Sequence, residues 1–265
     1  MKSNLENQHV LITGASGGIG LATTKKFLQQ KANVSAHYFT QQDQLKTVLD
    51  NYKSSLNILY ADLREEKDTK LLFSKATDRF GRIDILICNA GIAKKSISIQ
   101  DMTLEQWNET LTTNLTSIFL SMKYYFKNLI NYPQDSAVIV LIGSTAGLFG
   151  ESGHIDYASS KSALNGMLLS SKNEIVTLAT KGRVNMVNPG WTITPMTEKS
   201  LKNPEFVKKV LQTVPLQKIA TTIDIANIII FLSSNELSGH ITGQSITVAG
   251  GMEGRVLFDK ENIVL

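Results

Sequence analysis

The chain has 265 residues, enough for one large α/β domain or two small ones. Its 42% apolar and 19% charged content is ordinary for a globular protein. No apolar stretch approaches the ~20 residues that cross a bilayer, and the net charge of +4 comes from scattered lysines, so neither a membrane nor a nucleic-acid partner is expected. The polar start over residues 1–9 lacks the apolar core of a secretory signal. A lone cysteine, Cys88, cannot form an internal disulfide and reads as an inert buried residue, so a cytoplasmic, reducing location is expected.

His9 to Thr13 is a short apolar run that stops at a glycine, as a buried parallel strand does. Thr13-Gly14-Ala15-Ser16-Gly17-Gly18-Ile19-Gly20 follows and leads into a helical pattern over 21–30. Strand, glycine-rich turn and helix is the context in which a backbone can approach a pyrophosphate whose charge sits on the helix N-terminus. The spacing departs from the commonest dinucleotide fingerprint, and an ordinary βα turn can look the same. No Gly-Lys-Ser/Thr ending marks it as a nucleoside-triphosphate loop.

The alternation continues with a strand over 33–38, a helix over 43–52, a strand over 56–60, a charged helix over 65–80 and a strand over 83–88. A long helix is expected over 103–129, opening on the capping-box pattern Thr103-Leu104-Glu105-Gln106. Then come a strand over 137–142, a helix over 157–180, a strand over 183–187, an irregular stretch over 196–214, a helix over 223–232 and a last strand over 244–248. No linker, repeat or low-complexity segment divides them. The pattern predicts one α/β domain over 1–265, a Rossmann-type, doubly wound sheet of seven parallel strands with helices on both faces. Its core runs over about 9–251, with a tail at 252–265.

Tyr157-Ala158-Ser159-Ser160-Lys161 opens the 157–180 helix. Side chains four apart share a helix face, so Tyr157 and Lys161 look into the same space. A phenol titrates near pH ~10, and a fixed ammonium nearby favours its ionised form, which suits acid/base chemistry. Ser144 lies just past a very apolar run, so its hydroxyl projects from the tip of a buried strand. A tyrosine and lysine are often mere helix neighbours, and the pair gains meaning from the nucleotide-type loop before it.

Together these landmarks resemble the short-chain dehydrogenase/reductase family, in its compact single-domain branch. The marks are the 13–20 loop, Asp62-Leu63, Asn89-Ala90-Gly91, Asn114, Ser144, Tyr157-x3-Lys161 and Asn188-Pro189-Gly190. Each is modest alone, but the set in this order is specific. Pro215-Leu216, Ile241 to Gln244 and Gly250-Gly251 are similar to 3-oxoacyl-carrier-protein reductase and glucose-dehydrogenase-like members, with Ala249 where those usually carry aspartate.

The resemblance implies an oxidoreductase acting on CH–OH/C=O groups with a nicotinamide cofactor and no metal. Tyr157 is then the acid/base, Lys161 lowers its pKa and holds the nicotinamide ribose, and Ser144 orients the carbonyl. Asn114 supports a proton-relaying water. Gly14, Ser16, Gly17, Gly18, Ile19 and Gly20 cradle the cofactor. Asp62 and Leu63 meet the adenine, Asn89, Ala90 and Gly91 border the cofactor, and Pro189, Gly190, Thr192 and Thr194 lie by the nicotinamide. An acid at the end of the second strand usually selects NAD. The positions here are Tyr38, Phe39 and Thr40, so NADP(H) is favoured, with NAD(H) as the alternative; the arginine that NADP(H) binding usually brings is absent at positions 17 and 39.

The substrate is expected to be a small-molecule carbonyl or alcohol, with a carrier-bound acyl group among the candidates. Residues 91–101 and 191–214, with Trp191 as an apolar wall, are expected on its side. A homotetramer built on the 103–129 and 157–180 helices is the implied assembly. The alternatives are an NAD-dependent alcohol or sugar dehydrogenase and a non-catalytic nucleotide sensor on the same fold.

Overall fold

The computed structural model describes residues 3–263. The apolar runs become strands β1 (His9–Ile12), β2 (Asn33–Tyr38), β3 (Leu56–Tyr60), β4 (Ile85–Cys88), β5 (Ser136–Ile142), β6 (Lys181–Pro189) and β7 (Ser245–Val248). They form one sheet in the order β3-β2-β1-β4-β5-β6-β7, and each neighbouring pair is parallel.

Helices α1 (Gly18–Gln29), α2 (Asp43–Leu49) and α3 (Glu66–Phe80) join the first four strands. After β4 come α4 (Leu104–Leu111) and α5 (Ser117–Asn131), and after β5 come α6 (Ala146–Phe149) and α7 (Ile155–Ile175). The β6–β7 connection carries α8 (Glu198–Leu201), α9 (Pro204–Leu211), α10 (Thr222–Ser233) and α11 (Asn235–Ser238).

Side chains alternate across a strand, and the buried strands feed two cores. Val10, Ile12, Ile85, Ile87, Val138 and Val140 pack against Phe27 and Leu28 of α1, Leu45 of α2 and Ile225 and Ile229 of α10. Leu11, Leu86, Cys88, Ile139 and Leu141 face the other way, onto Phe73 of α3, Ile118 and Tyr125 of α5 and Leu164 and Leu168 of α7. Between β1 and β4 the strand order reverses, which opens a crevice at the carboxyl ends of those two strands, where such sheets bind ligands.

Three local departures from the expected pattern bear on function. The 103–129 helix is interrupted by a π-helical turn over Thr112–Thr116, centred on Asn114; such turns are rare and cluster at functional sites. Thr103 accepts the Gln106 N–H at 3.1 Å, but the reciprocal half of the capping box is missing. The Gln106 amide instead donates to the Lys95 carbonyl and the Asp156 carboxylate, both at 3.2 Å. The irregular 196–214 stretch holds two short helices, α9 being capped by Asn203 with Pro204 in its first turn.

Candidate active site

The crevice is built first from glycines that leave no room for a Cβ. Gly14 has φ +62°, and a Cβ there would stand 2.8 Å from the Ala90 Cα. Gly18, at φ +52°, lies against the Thr194 side chain, and a Cβ on Gly20 would collide with the Gly14 carbonyl. Asn89 closes the floor: its amide donates to the Thr13 carbonyl at 3.0 Å and the Gly14 carbonyl at 2.8 Å. The Thr13 hydroxyl in turn accepts the N–H groups of Asn89 and Ala90 at 2.9 and 3.0 Å. The ends of β1 and β4 are thereby locked around a loop at the N-terminus of α1. Such a backbone-lined cradle fits a dinucleotide pyrophosphate.

His37 supports this loop from below. Gly14 N–H donates to Nδ1 at 3.0 Å, and Nε2 bonds the Ala61 carbonyl at 3.0 Å, so the Nε2-protonated tautomer is the one that satisfies both partners. Burial pushes its pKa down to about 4, and it is neutral at pH 7. The sequence offered no cue to this role, because a histidine inside a strand looks like any other buried residue.

At the carboxyl ends of β2 and β3 Tyr38 and Tyr60 meet edge-to-face at 5.8 Å, and Phe39 stacks on Tyr60 at 6.0 Å. Thr40 is exposed beside them. Leu63 is buried. Asp62 is already engaged: Arg64 grips it with two N–H groups, Nη2 at 2.6 Å, which holds the Asp62 carboxyl below its usual range. The Arg64 guanidinium also lies 5.2 Å over the Phe39 ring. A cation does stand at this end, supplied by the loop after β3 and not by positions 17 or 39.

On the other side of the crevice Ser144 follows β5, with its Oγ accepting the Ala146 N–H at 3.1 Å. Tyr157 sits in the first turn of α7, and Lys161 one turn later puts Nζ 5.8 Å from the Tyr157 ring centroid. Lys161 is 5% exposed and donates to the Ile142 carbonyl at 2.8 Å. A Cβ on Gly91 would stand 3.4 Å from that amine. Asn114 accepts the Ile92 N–H at 2.7 Å and donates to the Ile92 carbonyl at 2.8 Å and to Ser160 Oγ at 3.1 Å, pinning the strand-end loop to α7.

The expected lowering of the Tyr157 pKa is not what this geometry produces. Burial raises it, the neighbouring Ser144 hydroxyl pulls it back in part, and the Glu151 charge raises it further. Lys161 is itself pushed down to about 8 by burial. For both groups desolvation by burial is the largest cause of the shift. Cys88 behaves as expected: buried, its thiol is pushed up to about 12.

At the carboxyl end of β6, Pro189 closes the strand and Gly190 abuts Ala249, whose Cβ would be 2.7 Å from a Cβ at position 190. Thr194 faces the Gly18 turn, whereas Thr192 is buried and spends its hydroxyl on the Gly190 carbonyl at 2.9 Å. Of the two threonines, only Thr194 is presented to the crevice. Ser16, Gly17 and Ile19 are part-exposed along the loop.

A family model described as enoyl-(acyl carrier protein) reductase matches residues 14–253. The chain belongs to the short-chain dehydrogenase/reductase family. It is 33% identical over 251 residues to a 3-oxoacyl-[acyl-carrier-protein] reductase of Thermotoga maritima, covering 94% of this chain and 98% of that one. A namesake from Buchnera aphidicola subsp. Schizaphis graminum is 35% identical over 249 residues, covering 94% and 98%. Among solved structures, one named short-chain dehydrogenase/reductase SDR:Glucose/ribitol dehydrogenase from Brucella melitensis superposes with a TM-score of 0.85 at 30% identity, over 95% of this chain and 98% of that one. The crystal structure of gox2181 shares the fold at a TM-score of 0.88 and 24% identity, over 94% and 97%. As a short-chain dehydrogenase/reductase, the protein is an oxidoreductase acting on C=O/CH–OH groups.

Proposed function

We propose that this protein is an NADP(H)-dependent carbonyl reductase in which Tyr157 is the general acid/base. The observation that carries the reading is that Ser144 and Tyr157 line one cavity together with Gly190, with the buried Lys161 amine 5.8 Å from the Tyr157 ring centroid. NADPH, when bound, supplies the hydride.

The remaining tasks fall to this chain. The 14–20 loop and residues 89–91 hold the pyrophosphate and ribose, and Thr194 and Gly190 border the nicotinamide. Ser144 donates a hydrogen bond to the substrate carbonyl and fixes its orientation. Tyr157, with a pKa above the ordinary phenol value, is protonated at neutral pH. It can therefore give its proton to the developing alkoxide when a carbonyl is reduced. Lys161, largely charged at pH 7, stabilises the phenolate left behind, and Asn114, in the π-helical turn, supports a proton-relaying water.

Tyr38, Phe39 and Thr40 present no carboxylate to a 2′-phosphate, and Arg64 offers a nearby cation; both support NADP(H). The carbonyl compound is free or carrier-bound, the latter being brought by the relatives' names. Exposed Phe119 and Ile130 of α5 and Leu169 of α7 support pairing of these helices in a homotetramer. No helix among the described residues is long and apolar enough to cross a membrane, and the buried, unreactive Cys88 suits a cytoplasmic setting.

Fluorescence titration with NADPH and, separately, NADH tests the reading. Tight NADPH binding with much weaker NADH binding is expected, and Tyr38→Asp should erode that preference. The reverse preference in the wild type would move the protein to the NAD-linked dehydrogenases, and binding of neither would reopen the sensor reading.

A further inference from the structure

The cavity that holds Ser144 and Tyr157 has a second polar wall, made of Glu151 and His154 from the loop joining α6 to α7. The loop is built to present them. Gly150 and Gly153 turn the chain at φ +75° and +78°, the His154 N–H donates to the Glu151 carbonyl at 3.1 Å, and the Gly153 carbonyl accepts the Ile97 N–H at 2.9 Å.

Glu151 is half-buried, and among the described residues no hydrogen bond or ion pair reaches its carboxylate. Burial raises its pKa, with the His154 charge acting in the opposite sense. A partly desolvated carboxylate gains from a hydrogen-bond donor, and a hydroxyl entering the cavity can supply one. An apolar acyl chain would leave both groups unpaired. An anionic substrate would be repelled by Glu151 at short range. The cavity is also small, about 130 Å³, against the ~150 Å³ that accommodates a benzene-sized guest.

We infer that the substrate is a compact carbonyl compound carrying hydroxyl groups close to the carbonyl, with Glu151 accepting from one hydroxyl and His154 bonding a neighbouring one. This rests on the carbonyl-reductase reading and narrows it. The carbonyl lies at Ser144 and Tyr157, the hydroxylated carbons run along the Glu151–His154 wall, and Trp191 and Met196 close the remaining side.

The test measures kcat/KM with NADPH on the full chain for three probes. These are a short hydroxylated ketone, the ketone of the same carbon skeleton without hydroxyls, and a 3-oxoacyl thioester. The hydroxylated ketone should exceed its deoxygenated partner by roughly 100-fold, since a site that hydrogen-bonds a hydroxyl rejects the analogue lacking it. Glu151→Ala should collapse the ratio of the two ketones by roughly 10- to 100-fold, the scale of one hydrogen bond to a charged group, and Glu151→Gln should restore part of it. The ratio cancels any common effect of the Glu151 charge on Tyr157, and the wild-type ratio stands even where a variant fails to fold. Preference for the thioester or for the deoxygenated ketone overturns the substrate class while leaving carbonyl reduction intact. NADPH oxidation with none of the probes overturns both.

Discussion

The Gly14 N–H donates to Nδ1 of His37 at 3.0 Å, across the floor of the crevice. That bond exists only while His37 is neutral, and its pKa of about 4 lies below the ordinary 6.5. Between those values the unfolded chain binds a proton that the folded one refuses. The stability from His37 is therefore complete above pH ~6.5 and is lost as pH falls towards 4. The full shift corresponds to on the order of 3 kcal/mol. His9, also buried and lowered, adds to the same slope. Urea midpoints at pH 7 and pH 4.5 should fall far more for the wild type than for His37→Gln. Equal falls would mean that His37 does not carry the acid sensitivity.

Two glycines of the same loop should respond in opposite ways. Gly14→Ala places a Cβ 2.8 Å from the Ala90 Cα at a positive φ, costing roughly 1–3 kcal/mol and closing the cradle. Gly17 has φ −158° and open space around its missing Cβ, so Gly17→Ala should keep both stability and cofactor binding. Gly17→Arg goes further, adding a cation near the loop where a 2′-phosphate would gain most. Thermal melts and nucleotide titrations decide: Gly14→Ala loses both, while Gly17→Arg raises the NADPH/NADH affinity ratio. An unchanged ratio would place the 2′-phosphate away from this loop.

The doubly wound parallel sheet was legible because the strands are short apolar runs that alternate with helical patterns, and because βα alternation leaves few topologies open. Tyr157, Lys161 and Ser144 were legible because a four-residue helical spacing and a strand tip are local facts. What escaped was non-local. Arg64 reaches Asp62 and Phe39 from a loop that ordinary position counting passes over. Glu151 and His154 became a wall only once the α6–α7 loop folded over the cavity. The sign of the Tyr157 shift escaped because it depends on burial, which spacing does not reveal. The π-helical turn left a faint trace in the weak helix formers Thr112, Thr113 and Asn114.

The tail beyond Gly251 is a strap on the β6–β7 connection. Leu257 N–H donates to the Gln212 carbonyl at 2.8 Å, the Gln212 side chain returns a bond to the Phe258 carbonyl at 3.0 Å, and Lys260 pairs with Glu205 of α9. Phe206 of α9 meets Trp191 of the cavity wall edge-to-face at 4.9 Å. Removing residues 253–265 should destabilise the protein by roughly 3–5 kcal/mol, the worth of a few part-exposed hydrogen bonds together with the buried Ile263. KM for the carbonyl should rise several-fold with NADPH affinity unchanged, because the strap does not touch the glycine cradle. Loss of NADPH binding in steady-state titrations would show that the tail supports the whole domain.

Lys161 should reveal a conflict between stability and turnover. Its amine is buried and its pKa falls from 10.5 to about 8. Between pH ~8 and ~10.5 the unfolded lysine keeps a proton that the folded one releases, so stability rises with pH across that window. Below it both forms are charged, and the cost of burying the ammonium is fully present at neutral pH, at most on the order of 3 kcal/mol before the Ile142 hydrogen bond is counted. Lys161→Met removes that cost and leaves a single carbonyl acceptor to be rewetted or repaired. The variant should melt at or above the wild-type temperature at pH 7, lose the stability gain between pH 8 and 10, and retain almost no carbonyl reduction. Tyr157→Phe, which keeps the lysine, should be equally inactive yet keep the wild-type pH slope. A Lys161→Met protein that is both inactive and markedly less stable at pH 7 would mean that the ammonium is well solvated in its pocket, and that the lysine holds the fold as well as the chemistry.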